Sequence, residues 1–93
     1  MIISAACRGY VNGEYNIFPV MRHGDFFRWM KILHCQYDKN EIEQGFIVWD
    51  ENQRIERFVS RQEAAKIAIE NNQILPNMKE SFNPNCLYSE DIY

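Results

Sequence analysis

Asn12-Gly13 constrains this chain more than any other pair of residues. A two-residue type I′ turn needs positive φ at both central positions, and Asn followed by Gly meets that need at the lowest steric cost. The pair predicts an N-terminal hairpin, and so short a turn also sets the register. Val11 then faces Glu14, Tyr10 faces Tyr15, Arg8 faces Ile17 and Cys7 faces Phe18. Pro19 cannot donate a ladder hydrogen bond, which places the second arm at a sheet edge or near its own end.

Beyond the hairpin, Phe26, Trp29, Met30, Leu33 and Tyr37 follow helical spacing while Arg28, Lys31 and Gln36 mark a polar side. This predicts an amphipathic helix over residues 25–37, capped by Gly24 or Asp25 and ended by Asp38-Lys39-Asn40. A β-rich run at 45–49, the polar turn 50–53 and a second run at 54–59 predict another hairpin. Its alternation fails at Phe58-Val59, where a bulge or the end of pairing is expected. Ser60-Arg61-Gln62-Glu63 has capping-box spacing, with the Ser hydroxyl accepting from the N3 amide and the Glu side chain reaching back to the Ser60 N–H. It opens a second helix whose apolar face is Ala64, Ala65, Ile67, Ala68 and Ile69, with Asn71-Asn72 as a left-handed stop.

The closing segment, residues 87–93, carries Leu, Ile and two Tyr and is expected to be anchored as a docked tail or strand. The sum is an α+β fold of order ββαββα plus that tail, in one globular domain spanning 1–93. With 46% hydrophobic residues the chain has the material for a core, which argues against disorder.

A net charge of −3 with interleaved signs gives neither the basic surface that duplex nucleic acid requires nor the dense acidic array of a DNA mimic. Cys7, Cys35 and Cys86 are odd in number, widely spaced and free of any C-x-x-C pair, so neither a disulfide framework nor a zinc knuckle is indicated. No metal and no cofactor is expected. No basic leader and no run of roughly 20 apolar residues is present, so no membrane association is expected.

Arg22-His23-Gly24-Asp25 concentrates a guanidinium, an imidazole and a carboxylate at a predicted helix start, where free backbone N–H groups favour anions. His23 can act as acid or base with Asp25 fixing its tautomer, or it can pack quietly while Asp25 caps the helix. Arg57 and Arg61 flank the second helix start and can converge on a phosphate or carboxylate, the alternative being ion pairs with Glu56 or Glu63. Gln44 offers an amide for a base or ribose edge. Ser89-Glu90-Asp91 can pair with those arginines, closing the fold or completing a pocket across a dimer interface. The predicted ligand-binding set is Arg22, His23, Asp25, Gln44, Arg57, Arg61, Ser89 and Glu90. No nucleophile elbow, P-loop or dinucleotide fingerprint accompanies it.

Several of these residues lie in motifs that carry a resemblance along the whole chain. Arg22-His23-x-Asp25, then Glu43-Gln44-Gly45-Phe46-Ile47, then Arg57-Phe58-Val59-x-Arg61-x-Glu63-Ala64 with Ile67-Ala68, Gln73-Ile74 and Leu87-Tyr88-Ser89-Glu90-Asp91 resemble a group of short accessory proteins of tailed bacteriophages. Residues 50–56 depart from the pattern, in which a shorter Gly-containing turn is usual. The resemblance implies a phage accessory protein acting in the infected host cytoplasm, commonly in counter-defence. Three functions follow as expectations. The first is capture of an anionic small molecule, such as a nucleotide-type signal, without turnover. The second is inhibition of a host enzyme by protein–protein contact through an exposed tail. The third is a small nucleotide-processing enzyme in which His23 and Asp25 are catalytic.

Overall fold

Asn12 and Gly13 take φ of 52° and 82°, and the hairpin they close joins β1 (Ile2–Val11) to β2 (Glu14–Val20). The computed structural model describes residues Met1–Tyr93. Pairing runs from Val11 opposite Glu14 through Tyr10 opposite Tyr15 and Arg8 opposite Ile17 to Cys7 opposite Phe18, the register that the turn dictates. The tip is tied down from outside: Asn12 N–H donates to Gln36 O and Gln36 N–H donates to Asn12 Oδ1, both at 2.8 Å.

The remaining elements are α1 (His23–Ile32), β3 (Glu43–Asp50), β4 (Ile55–Ser60) and α2 (Arg61–Glu70), with short 3₁₀ turns at Lys39–Glu41, Pro76–Met78 and Ser89–Asp91. All four strands form one antiparallel sheet in the order β2-β1-β3-β4, giving an α+β fold. β2 is an edge strand, so the N–H that Pro19 lacks costs little. Pairing of β3 with β4 is regular from Asp50 opposite Ile55 to Gly45 opposite Ser60, so no bulge interrupts Phe58-Val59. The irregularity lies instead between β1 and β3, at Ile2/Ser4.

Ala5, Phe46 and Val59 meet in register across three strands and share a face with Cys7 and Val11. Both helices pack on that face. Phe26 and Met30 of α1 join Cys7, Val11 and Ile42. Ala64, Ala65 and Ala68 of α2 join Ala5, Phe46, Val48, Val59 and Leu87. The three alanines are wholly buried, which lets the α2 backbone come close to β3. Phe26 and Phe46, both fully buried, each contribute roughly 1.5–3 kcal/mol of apolar burial.

The helix ends show where local signals hold and where they fail. The N-cap of α1 is Arg22, not Gly24 or Asp25. Asp25 stands one turn in, at N3, and its Oδ2 accepts the Arg22 N–H at 3.3 Å. The helix stops at Ile32 because His34 adopts φ of 54°. His34 N–H then bonds Lys31 O and Cys35 N–H bonds Met30 O, a Schellman closure. The expected continuation to Tyr37 does not form, and Trp29 and Leu33 stay 54% and 61% exposed. The same closure ends α2, with Asn72 at φ of 53°, Asn72 N–H on Ile69 O and Gln73 N–H on Ala68 O. At its start Ser60 Oγ accepts the Glu63 N–H at 3.1 Å. The Glu63 carboxylate does not return to Ser60 but is held by Arg57 Nη1 at 3.2 Å.

The C-terminal segment docks as a 3₁₀ turn and not as a strand. Leu87, Ser89 and Asp91 are buried. Leu87 N–H donates to Arg61 O at 3.1 Å and Leu75 N–H to Asp91 O at 2.8 Å. The Tyr93 hydroxyl accepts the Ala5 N–H at 3.0 Å and donates to Met21 O at 2.6 Å, so the last residue clamps β1 to the entry of α1.

Candidate functional site

Extended backbone at Arg22 turns the chain from β2 into α1 and directs His23, the first helical residue, down onto β3. His23 is only 6% exposed, and its ring meets Phe46 edge to face at 5.2 Å. Nε2 lies 2.7 Å from the Gly45 carbonyl oxygen, and Nδ1 lies 3.2 Å from Arg61 Nη2. A guanidinium can only donate, so Nδ1 accepts and Nε2 carries the proton given to Gly45. Burial, with the Arg61 charge adding to it, pushes the imidazole pKa below its ordinary 6.5 despite the opposing Gly45 bond.

Arg61 is the first residue of α2, and Ser60 capping aims it back across the sheet. Its Nη2 also donates to Gln44 Oε1 at 2.8 Å, and its guanidinium lies 5.1 Å from the centre of the Tyr88 ring. Arg22 makes the matching connection on the other side of His23. Its Nη2 donates to the Tyr93 carbonyl at 2.6 Å, its Nε lies 3.9 Å from Glu90 Oε1, and its guanidinium sits 4.9 Å from the Tyr93 ring. Ser89 Oγ in turn donates to Glu90 Oε1 at 3.1 Å.

The fold thus gathers Arg22, His23, Gln44, Arg61, Ser89 and Glu90 from four separate stretches of chain. Arg57 and Asp25 stand outside the group. Arg57, inside β4, bonds Asp50 Oδ2 and Glu63 Oε1, both at 3.2 Å. Asp25 is taken up by the Arg22 N–H and by Arg28. Tyr88, Tyr93 and the Gly45 carbonyl complete the cluster, and sequence reasoning did not single them out. Only the terminal aromatics carried a signal, as the apolar part of an anchored tail.

The cluster is closely packed, and none of the four cavities found in the structure is lined by its arginines, His23 or Gln44. Two donors within it have no acceptor: Arg22 Nη1 and Arg61 Nε are buried and unpaired. The Gln44 amide nitrogen is also free of intrachain bonds, since only its oxygen is engaged. No three His, Cys, Asp or Glu side chains gather in a way that would hold a metal ion. Cys7 is buried and its thiol is pushed up to about 11 by desolvation, which leaves it protonated at neutral pH. No helix is long and apolar enough to cross a membrane.

Comparison with curated proteins and with solved structures gives no match. The family model described as Phage T4 y16D protein, in contrast, matches residues 1–93. The match spans the whole chain, which therefore belongs to the phage T4 y16D protein family and is a phage accessory protein.

Proposed function

We propose that this phage protein captures an anionic small molecule of nucleotide type at the Arg22–His23–Gln44–Arg61 cluster, without turning it over, in the service of counter-defence. The observation that carries the reading is the pair of buried guanidinium nitrogens, Arg22 Nη1 and Arg61 Nε, with no acceptor. A buried donor left unpaired costs about 1–3 kcal/mol, and a phosphate or carboxylate oxygen would recover that energy. Glu90 is the natural group to yield: its carboxylate faces Arg22 Nε at 3.9 Å, beyond hydrogen-bond reach, and is mostly exposed. The free Gln44 amide can donate to a base or ribose edge beside the anion. Binding without turnover suits His23, whose ring is neutral, buried and engaged at both nitrogens.

Calorimetry against nucleoside phosphates, cyclic nucleotides and inorganic phosphate tests this reading. Arg22→Ala should abolish binding, with a loss of about 1–3 kcal/mol in stability from the bond to Tyr93, and Glu90→Gln should strengthen it. A well-folded sample that binds none of these anions, and yields no co-purified ligand by mass spectrometry of the denatured protein, would sink the proposal.

A further inference from the structure

With α1 and α2 on one face, the other face of the sheet has no layer over it. An antiparallel sheet that meets water on one side ordinarily turns polar residues outward. This one turns out Tyr10, Tyr15, Ile17 and Trp49, and Tyr10 and Ile17 are 59% and 44% exposed. Tyr10, Tyr15 and Ile17 adjoin near the hairpin tip, and exposed apolar surface of this kind marks an interaction site.

Charge on this face nearly cancels. Arg8 pairs with Glu43 at 2.8 Å while its guanidinium lies 4.2 Å from the centre of the Phe58 ring, leaving Glu56 as the uncompensated group. A partner selected by opposite charge would find little to grip, whereas an identical face meets no repulsion of consequence. Shape points the same way. The Tyr10–Tyr15 pair, with ring centroids 5.2 Å apart, projects near the hairpin tip. At the other end of the strands, Pro19, Ala6 and Gly45 form a row of small residues across the sheet. The Phe58 ring covers Gly45, and beside it, next to Pro19, lies a hollow of about 270 Å³ lined by Ile17, Pro19, Ile47, Phe58, Glu56 and Arg57. Tyr15 and Pro19 are about 13 Å apart along β2 at strand rise. One patch therefore carries both a projection and a hollow, which is what a two-fold interface requires.

We infer that the open sheet face is an interface with a second copy of this chain, the Tyr10–Tyr15 pair of each copy seated in the hollow of the other. Glu56 on the rim accepts a hydrogen bond from an incoming tyrosine hydroxyl. A standard interface needs about 800 Å² per partner, which fits within a molecule of 38 × 31 × 18 Å whose thin axis is one sheet under one helical layer.

Sedimentation velocity on the full chain at about 10 and about 100 µM provides the test. The expected species has twice the 11.1 kDa chain mass. Ile17→Lys and Tyr15→Ala each return it to the monomer, with far-UV circular dichroism unchanged because both side chains lie outside the core, about half exposed. Arg22→Ala, off this face, keeps the dimer. A wild-type monomer at both concentrations overturns the inference and leaves the face to a different protein; so does a dimer that survives both substitutions.

Discussion

Gly45→Ala tests the link between the sheet and the His23 cluster, and it should cost roughly 2–4 kcal/mol. Replacing Gly by Ala within a regular element ordinarily gains about 0.5–1 kcal/mol through the unfolded chain. At Gly45 the added Cβ would collide with the Val59 carbonyl oxygen and stand 2.5 Å from Phe58 Cζ. The Phe58 ring can turn toward the hollow it lines only by giving up the Arg8 guanidinium stacked on it. Val59 is backbone, held by its pairing with Phe46 in a strand that leads directly into α2. Relief therefore means displacing β4, an overpacking cost of about 1–3 kcal/mol plus about 1 kcal/mol for each ladder hydrogen bond lost. The Gly45 carbonyl that receives the His23 proton would move with it. For a domain of this size the loss corresponds to a fall in Tm of roughly 10–30 °C. Gly24→Ala is the control: a methyl group added there on α1 meets nothing within 4 Å beyond its chain neighbours and the backbone of its own helix, so it should stabilise by up to about 1 kcal/mol. Thermal and urea unfolding of both variants, followed by circular dichroism, reads the two signs. A Gly45→Ala protein as stable as the parent would refute the packing argument.

Tyr93→Phe removes the hydroxyl that accepts from Ala5 N–H and donates to Met21 O; urea unfolding should show a loss of about 1–3 kcal/mol, and an unchanged midpoint would mean the tail clamp is idle. Ser60→Ala should cost about 1 kcal/mol by removing the α2 cap, and a loss within error of zero would contradict the capping role. His23 is held below its ordinary 6.5, so the unfolded chain takes up this proton first as the solution is acidified. Its contribution to stability is full above about pH 6.5 and is lost as the pH falls, by at most about 1.4 kcal/mol per pH unit, until the folded ring protonates too. An NMR titration midpoint for His23 at or above 6.5 would reverse that sign. Cys7, raised to about 11 by burial, should resist thiol-specific alkylation at pH 8 while half-buried Cys35 and Cys86 react; early labelling at Cys7 by peptide mapping would contradict its burial.

Elements governed by contacts within a few residues could be read from the chain alone. Asn12-Gly13 specified the first hairpin to the residue, because positive φ at two adjacent positions admits one turn geometry. Ser60 announced α2 and Asn72 its end, since a cap hydroxyl and a left-handed stop satisfy the adjacent helix's own free groups. The same logic misplaced the end of α1, where a histidine took the left-handed conformation that Gly or Asn usually supplies. It also failed for Arg57 and Arg61. They lie four positions apart, but one is on a strand facing the Asp50 turn and the other begins a helix facing Gln44.

Tertiary structure decided everything that depends on which surfaces meet. Insertion of β1 between β2 and β3 put Gly45 under His23, and the folding back of residues 87–93 brought Tyr88, Glu90 and Tyr93 to the arginines. Two aromatic residues on the stripe that the sequence assigned to the first helix, Trp29 and Tyr37, had different fates: Trp29 stayed in solvent while Tyr37, beyond the end of α1, packed beside Phe26. Local backbone preferences fix turns and caps because their partners lie within one turn of chain. Burial, tautomer and ion pairing are settled by groups dozens of residues away, whose arrival the sequence pattern does not encode.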